Sequence, residues 1–273
     1  MAVADSEGMR IAYSDRGKGE PVFLCLPGWC VHQTIFAPLA ERLSAHHRVL
    51  AMDWRGHGES EASGRDVGSA EMLADALAVI QSSGAQTVIP IAQAHAGWVA
   101  LDLRRRLDQR VPGMIFTSWN PIFTTGNPLA PRFLGAMQAV QDRAHWRETV
   151  ELLLTMWVGD APSDVTREIR QEAGTHGFED WARGGREIAA VFAREGDPLQ
   201  AMSKLSPSVP VLHVYAQPRM SEYLSRQESF ARDHSWFSVH RLEAVSHFPT
   251  LEAPDETASL ITEFIRRLNP HPA

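Results

Sequence analysis

The sequence predicts an α/β protein: a mostly parallel sheet with helices on both faces and a helical lid inserted late in the chain. Short β-rich runs recur with helical stretches between them, the pattern of a parallel sheet covered on both sides. That alternation stops at residues 121–207, where only helical patterns appear. The 273 residues, 44% hydrophobic and 22% charged, can bury a sizeable core, and large α/β domains commonly reach this length undivided.

Strands are expected near residues 10–13, 22–26, 48–52, 88–92, 114–118, 211–215 and 238–242. Three apolar stripes at helical spacing fall between them: Ile35, Leu39 and Leu43; Met72, Leu73, Leu77 and Ile80; and Val99, Leu103 and Leu107. On the third helix, Arg104, Arg105 and Arg106 read as a solvated face rather than a phosphate site. The inserted segment is punctuated by Gly126, Pro128, Pro131, Pro162, Gly174, Gly177, Gly184 and Gly185. It is rich in aromatics (Phe123, Phe133, Trp146, Trp157, Phe178, Trp181 and Phe192), so an apolar surface is expected to face the sheet. A last helix over 256–268 places Leu260, Ile261, Phe264 and Leu268 on one side. The expected division is therefore a core of residues 1–120 and 208–273, with a lid at 121–207.

Twenty-six Lys and Arg against 33 Asp and Glu leave a net charge of −7, which argues against nucleic acid or an anionic membrane as partner. A small ligand is expected instead. The two cysteines, Cys25 and Cys30, make no disulfide framework and no cysteine-based zinc motif, and they fit a reducing cytoplasm. Residues 1–10 read as neither a secretory signal nor a transit peptide, and no apolar run nears the roughly 18 residues of a membrane helix. Neither a metal-ligand spacing nor a dinucleotide fingerprint is visible.

Three loops follow strand ends, where open α/β sheets place their ligands. They are Leu26-Pro27-Gly28-Trp29-Cys30, then Asp53-Trp54-Arg55-Gly56-His57-Gly58-Glu59-Ser60, then Ala92-Gln93-Ala94-His95-Ala96-Gly97. The third resembles the G-x-S-x-G nucleophile elbow of the α/β-hydrolase family. Its small flanks survive as Ala92 and Ala96, but Ala94 stands at the nucleophile position, and a methyl group cannot attack a carbonyl. At the other end, Ser246-His247-Phe248-Pro249 follows the last expected strand, where that family carries its catalytic histidine. A histidine without a nucleophile suggests a base acting directly on the substrate. His95 adds a second imidazole at the start of the elbow helix.

Within that family the chain resembles the cofactor-independent ring-cleaving dioxygenases of 3-hydroxy-4-quinolones. The likeness spans nearly the whole sequence: the Leu-Pro-Gly-Trp-Cys run, residues 53–58, His95 with Gly97-Trp98-Val99, Trp157 and Trp181, His234-Ser235-Trp236-Phe237, and His247-Phe248-Pro249. The resemblance implies a reaction of an aromatic substrate with dioxygen, without metal or organic cofactor. His247 would remove the proton of the 3-hydroxyl, and His95 would bond the 4-carbonyl. The Trp29 and His95 backbone amides would stabilise negative oxygen, and Trp29, Trp157 and Trp181 would bind the flat bicycle. Peroxide formed at C2 would attack C4, releasing carbon monoxide and an N-acylanthranilate.

The chain departs from the family at three positions. Ala94 replaces a serine, Val31 stands where a relative has histidine, and Ser118 occupies the place of the aspartate partner of the histidine. The other usual acid position, after the next strand, reads Gln217-Pro218-Arg219-Met220. Two other readings stay open on sequence: a hydrolase fold turned binding protein, and a serine-free lyase using His247.

Overall fold

The computed structural model describes residues 1–64, 67–119 and 129–268; the start of the expected lid, with Pro121, Phe123, Gly126 and Pro128, lies outside them. Eight strands form one sheet: β1 (Ala2–Ser6), β2 (Met9–Arg16), β3 (Val22–Leu26), β4 (Val49–Met52), β5 (Val88–Gln93), β6 (Met114–Thr117), β7 (Val211–Tyr215) and β8 (Phe237–Arg241). Their spatial order is β1-β2-β4-β3-β5-β6-β7-β8. The pairs β1–β2 and β2–β4 are antiparallel, and every pair from β4 through β3 to β8 is parallel.

All seven expected strands are present. β1 was not expected, because residues 1–10 hold too few apolar side chains to show a pattern. Its strand status comes from a tight hairpin, in which Glu7 (φ 55°) and Gly8 (φ 85°) supply the two positive φ angles of a two-residue turn.

Every residue of β3, β4, β5, β6 and β7 is buried, as strands covered on both faces require. Side chains alternate between two apolar clusters. From β3, Phe23 and Cys25 enter one, and Val22, Leu24 and Leu26 the other. The first face is covered by α1 (Ala37–Leu43) and α11 (Pro254–Leu268), through Leu39, Leu43, Ile261 and Phe264. The second is covered by α2 (Ser69–Ser83) and α3 (Gly97–Leu107), through Ala76, Val79, Ile80, Val99 and Leu103.

Arg104 is the exception to the solvated face expected on α3. It is buried and donates to Asp108 Oδ1 (2.6 Å) and to Pro207 O (3.1 Å), so it fastens the chain just before β7 to α3. Arg105 pairs with Asp102 and Glu195.

Between β6 and β7 lie α4 (Leu129–Ala139), α5 (Trp146–Val158), α6 (Ser163–Ala173), α7 (Phe178–Glu195) and α8 (Pro198–Ser203). Their buried residues Met137, Leu153, Leu154, Ile169, Trp181 and Ile188, with Val140 just past α4, belong to the first cluster together with Trp29, Val31 and Phe248. The inserted helices therefore share a core with the loops at the carboxyl ends of the strands. The chain then adds α9 (Ser221–Asp233) and α10 (Pro249–Glu252) around β8. No helix among the described residues is long and apolar enough to cross a membrane.

Candidate active site

Strand order reverses at β3, which has β4 on one side and β5 on the other, and the crevice this opens at the carboxyl ends is where such sheets bind ligands. The loops after β3, β4 and β5 meet there. Asp53, 1% exposed, holds two of them: its carboxylate accepts Gln33 N–H (2.7 Å) and Glu59 N–H (3.1 Å). Arg55 makes a buried pair with Asp75 at 2.6 Å. The second loop singled out from sequence is thus scaffolding for the first.

The elbow is intact. Ala94 has φ +51°, a left-handed conformation that costs a non-glycine residue about 1–2 kcal/mol. One turn of 3₁₀ helix, Ala94–Ala96, follows before α3. The buried flanks Ala92 and Ala96 leave room for the turn, and a Cβ added at Gly97 would come within 2.4 Å of the Trp119 ring. A sharply bent, strained turn is held in place with no nucleophile on it.

His247 lies between β8 and α10, 7% exposed. Its backbone N–H donates to Trp157 O (2.7 Å), and its carbonyl accepts Gln93 Nε2 (3.3 Å). The ring stacks on Trp157, with centroids 5.9 Å apart and planes 17° from parallel, and stands edge-on to Phe248. Among the described residues no carboxylate bonds to the imidazole. Burial, with a smaller contribution from His213, pulls its pKa down to about 4. Burial alone brings His95 to about 4 as well. Both rings are neutral at neutral pH, one consequence of a site with no counter-charge.

These groups face one cavity of about 530 Å³. Of the residues expected at the site, Trp29, Ala94, His95, Ser118, Trp157 and His247 line it. Trp181 does not: it is fully buried behind the wall, 4.7 Å from the Trp29 ring and stacked at 6.0 Å on Trp157. It is a backing residue for two ring walls. Ser118 occupies the acid position with φ +52°, and its buried Oγ has no hydrogen-bond partner among the described residues.

Phe133, one of the aromatics noted in the inserted segment, also lines the cavity, but Ala136, Leu153, Met156 and Ile188 from the inserted helices had no signal of their own in the sequence. Gln217 is another. At the second usual acid position, it spends its amide on the carbonyls of Val245 (2.7 Å), Met156 (3.1 Å) and Trp157 (3.2 Å), clasping the His247 loop to α5. Nor did spacing reveal that Cys30, His57 and His176 bring metal-ligand atoms within 4.8 Å of one another, because they come from three distant segments.

Fold and elbow together define an α/β hydrolase, and the model of the alpha/beta hydrolase family matches residues 23–260. Within it, the chain belongs to the 3-hydroxy-4-quinolone 2,4-dioxygenases. It is 34% identical to the 2-heptyl-3-hydroxy-4(1H)-quinolone dioxygenase of Mycobacteroides abscessus, over 92% of this chain and 93% of that one. It is 30% identical to the 1H-3-hydroxy-4-oxoquinoline 2,4-dioxygenase of Pseudomonas putida, over 97% and 100%. The solved structure of an AqdC variant with its substrate, described for recognition and ring cleavage of the Pseudomonas quinolone signal, superposes with a TM-score of 0.90 at 30% identity, covering 97% of this chain and 99% of that one.

Proposed function

We propose that this protein is a cofactor-independent dioxygenase that opens a 2-alkyl-3-hydroxy-4(1H)-quinolone with dioxygen, yielding an N-acylanthranilate and carbon monoxide. The observation that carries the reading is a preserved elbow without a nucleophile, facing one apolar cavity together with a neutral, buried histidine.

His247 takes the proton of the substrate 3-hydroxyl. With no carboxylate at its ring, the imidazolium it becomes is stabilised by the anion it has just made, so charge separation occurs only when substrate is present. The electron-rich enolate then reacts with dioxygen at C2, the new peroxide attacks C4, and two ring bonds break as carbon monoxide leaves. His95, neutral, donates to the 4-carbonyl oxygen, and the backbone amides of Trp29 and His95 supply further donors where negative charge collects. Trp29 and Trp157, inclined at 69° to each other, give the bicycle two aromatic walls to pack against. The surrounding apolar walls exclude water, which would otherwise protonate the enolate.

Residues 121–207 act as the lid over a core of 1–120 and 208–273, and the apolar residues that the lid lends to the cavity receive the alkyl tail. Free, buried Cys25 and Cys30 suit a cytoplasmic enzyme. The experiment is an assay of 2-alkyl-3-hydroxy-4-quinolones with and without air. Oxygen uptake matched by carbon monoxide is expected; binding without turnover, or equal turnover under anaerobic conditions, would overturn the reading.

A further inference from the structure

Next to Trp29 in the chain, side chains from three segments converge away from the reaction cavity. Cys30 Sγ and one ring nitrogen each of His57 and His176 lie within 4.8 Å of one another. His32 joins them, its Nε2 facing His176 Nε2 at 3.1 Å. None of the four lines the 530 Å³ cavity. We propose that Cys30, His57, His176 and His32 form a binding site for a borderline divalent cation of the zinc class.

The donor set is one thiol and three imidazoles, the ligand types that zinc and cobalt(II) prefer. Two imidazole nitrogens on a tetrahedral ion, at metal–nitrogen distances of about 2.0–2.1 Å, stand roughly 3.3 Å apart; the facing Nε2 atoms of His32 and His176 are already there. The rings of His57 and His176 are in contact, with centroids 4.4 Å apart. Bringing Cys30, His57 and His176 to ligand distance of one another asks for a contraction of roughly 1 Å, and His32, outside that 4.8 Å group, must shift further to reach the ion.

A second, independent feature is the set of partners behind the ligands. His57 Nδ1 faces Arg55 O at 3.3 Å, and His176 Nδ1 faces Asp180 Oδ2 at 3.5 Å. A ligating histidine uses its other nitrogen in this way, donating to a carbonyl or carboxylate that fixes the ring. Each ring thereby presents Nε2 to the centre. Binding would release the Cys30 thiol proton to solvent and leave thiolate on the ion, with Asp180 supplying a further negative charge.

The ion would join what the backbone keeps apart. Cys30 and His32 follow β3, His57 follows β4, and His176 lies between α6 and α7. A bound cation would therefore tie the inserted helices to the core beside Trp29, acting on the stability of the closed arrangement rather than on ring opening.

The test uses the purified full chain, stripped with chelator and titrated with cobalt(II) alone. One equivalent should bind, with a thiolate-to-cobalt charge-transfer band. Cys30→Ser should abolish that band, and His176→Asn should weaken binding at least about 10- to 100-fold, the range that loss of even an outer-shell partner costs. Zinc should displace the cobalt and raise the melting temperature of wild type but not of His176→Asn. Folded wild type that takes up no stoichiometric cobalt at micromolar concentration would overturn the proposal. So would cobalt binding without a thiolate band and unaffected by His176→Asn. The readouts are independent of turnover.

Discussion

His247, the proposed base, has no carboxylate partner among the described residues and is packed against the rings of Trp157 and Phe248, and its expected behaviour follows from that. Because its pKa is lowered to about 4, it stays unprotonated across the acid range in which an ordinary histidine would be lost as a base. The kcat/KM profile should hold its plateau down to about pH 5 and fall only near pH 4; a limb at pH 6.5 would show that burial does not set this group. His247→Ala should lower kcat by roughly 10²–10⁴ while leaving KM within a few-fold. Ala94→Ser tests the elbow. Returning a hydroxyl to the strained turn should keep carbon monoxide release within an order of magnitude and create no more than trace hydrolysis of an aryl ester, since the reacting charge resides on the substrate. Vigorous ester hydrolysis by the variant, with no oxygen-dependent activity in either protein, would mark a disabled hydrolase. At this scale the sequence was informative for a definite reason: His95, Ala94, Ser118 and His247 lie on short loops tied to strand ends, so position in the pattern implies position in space. Trp181 lacked that anchor. It lies on a helix whose rotation no motif fixes, and its indole turned out to back the wall instead of forming it.

Elements carry the selectivity. α4 turns the small residues Gly135, Ala136 and Ala139 toward the cavity that Trp29 and Trp157 also line, and α5 adds Leu153 and Met156. Ala136→Leu should therefore shorten the accommodated tail, discriminating against longer 2-alkyl groups by about 1–3 kcal/mol in kcat/KM. A flat response across chain lengths would place the tail against other walls. The helices with apolar stripes were readable because burial on one face writes a 3.6-residue period into the sequence. α9 buries only Tyr223 and Gln227, so it has almost no stripe to read. β1 was hidden for a similar reason: at the sheet edge it buries two residues of five.

The whole molecule titrates in opposing senses. Burial pulls His57 down to about 3 and His95, His213 and His247 to about 4, so between pH 6.5 and 4 the unfolded chain binds more protons at these sites and stability falls as pH drops. Burial pushes Glu172 up to about 8 and Asp197 to about 6. Their protons are kept on folding, so they contribute stability that is lost as pH rises from the ordinary carboxylate range toward those values. These four histidines, together with His32, His47 and His240, outweigh the raised acids below pH 6.5, and above it the raised Glu172 and His145 both favour the lower pH. The urea midpoint should therefore be highest near pH 6.5 and lower at both pH 5 and pH 8; a midpoint that rose on acidification to pH 5 would contradict it. Sheet, inserted helices and their shared core followed from the order of patterns along the chain. Contacts between distant segments, such as Gln217 across α5 or His176 beside Cys30, did not, because one chain's linear spacing records no distance between loops that meet only after folding.

The hydrogen bond from His247 N–H to Trp157 O joins the base to the aromatic wall above it. A displacement of α5 wide enough to admit a bicyclic ring must stretch that bond and loosen the clasp of Gln217 with it. On the proposed reading of His247 as the base, these two backbone atoms tie the aim of its imidazole to the position of α5, so that proton transfer and enclosure of the ring depend on one contact.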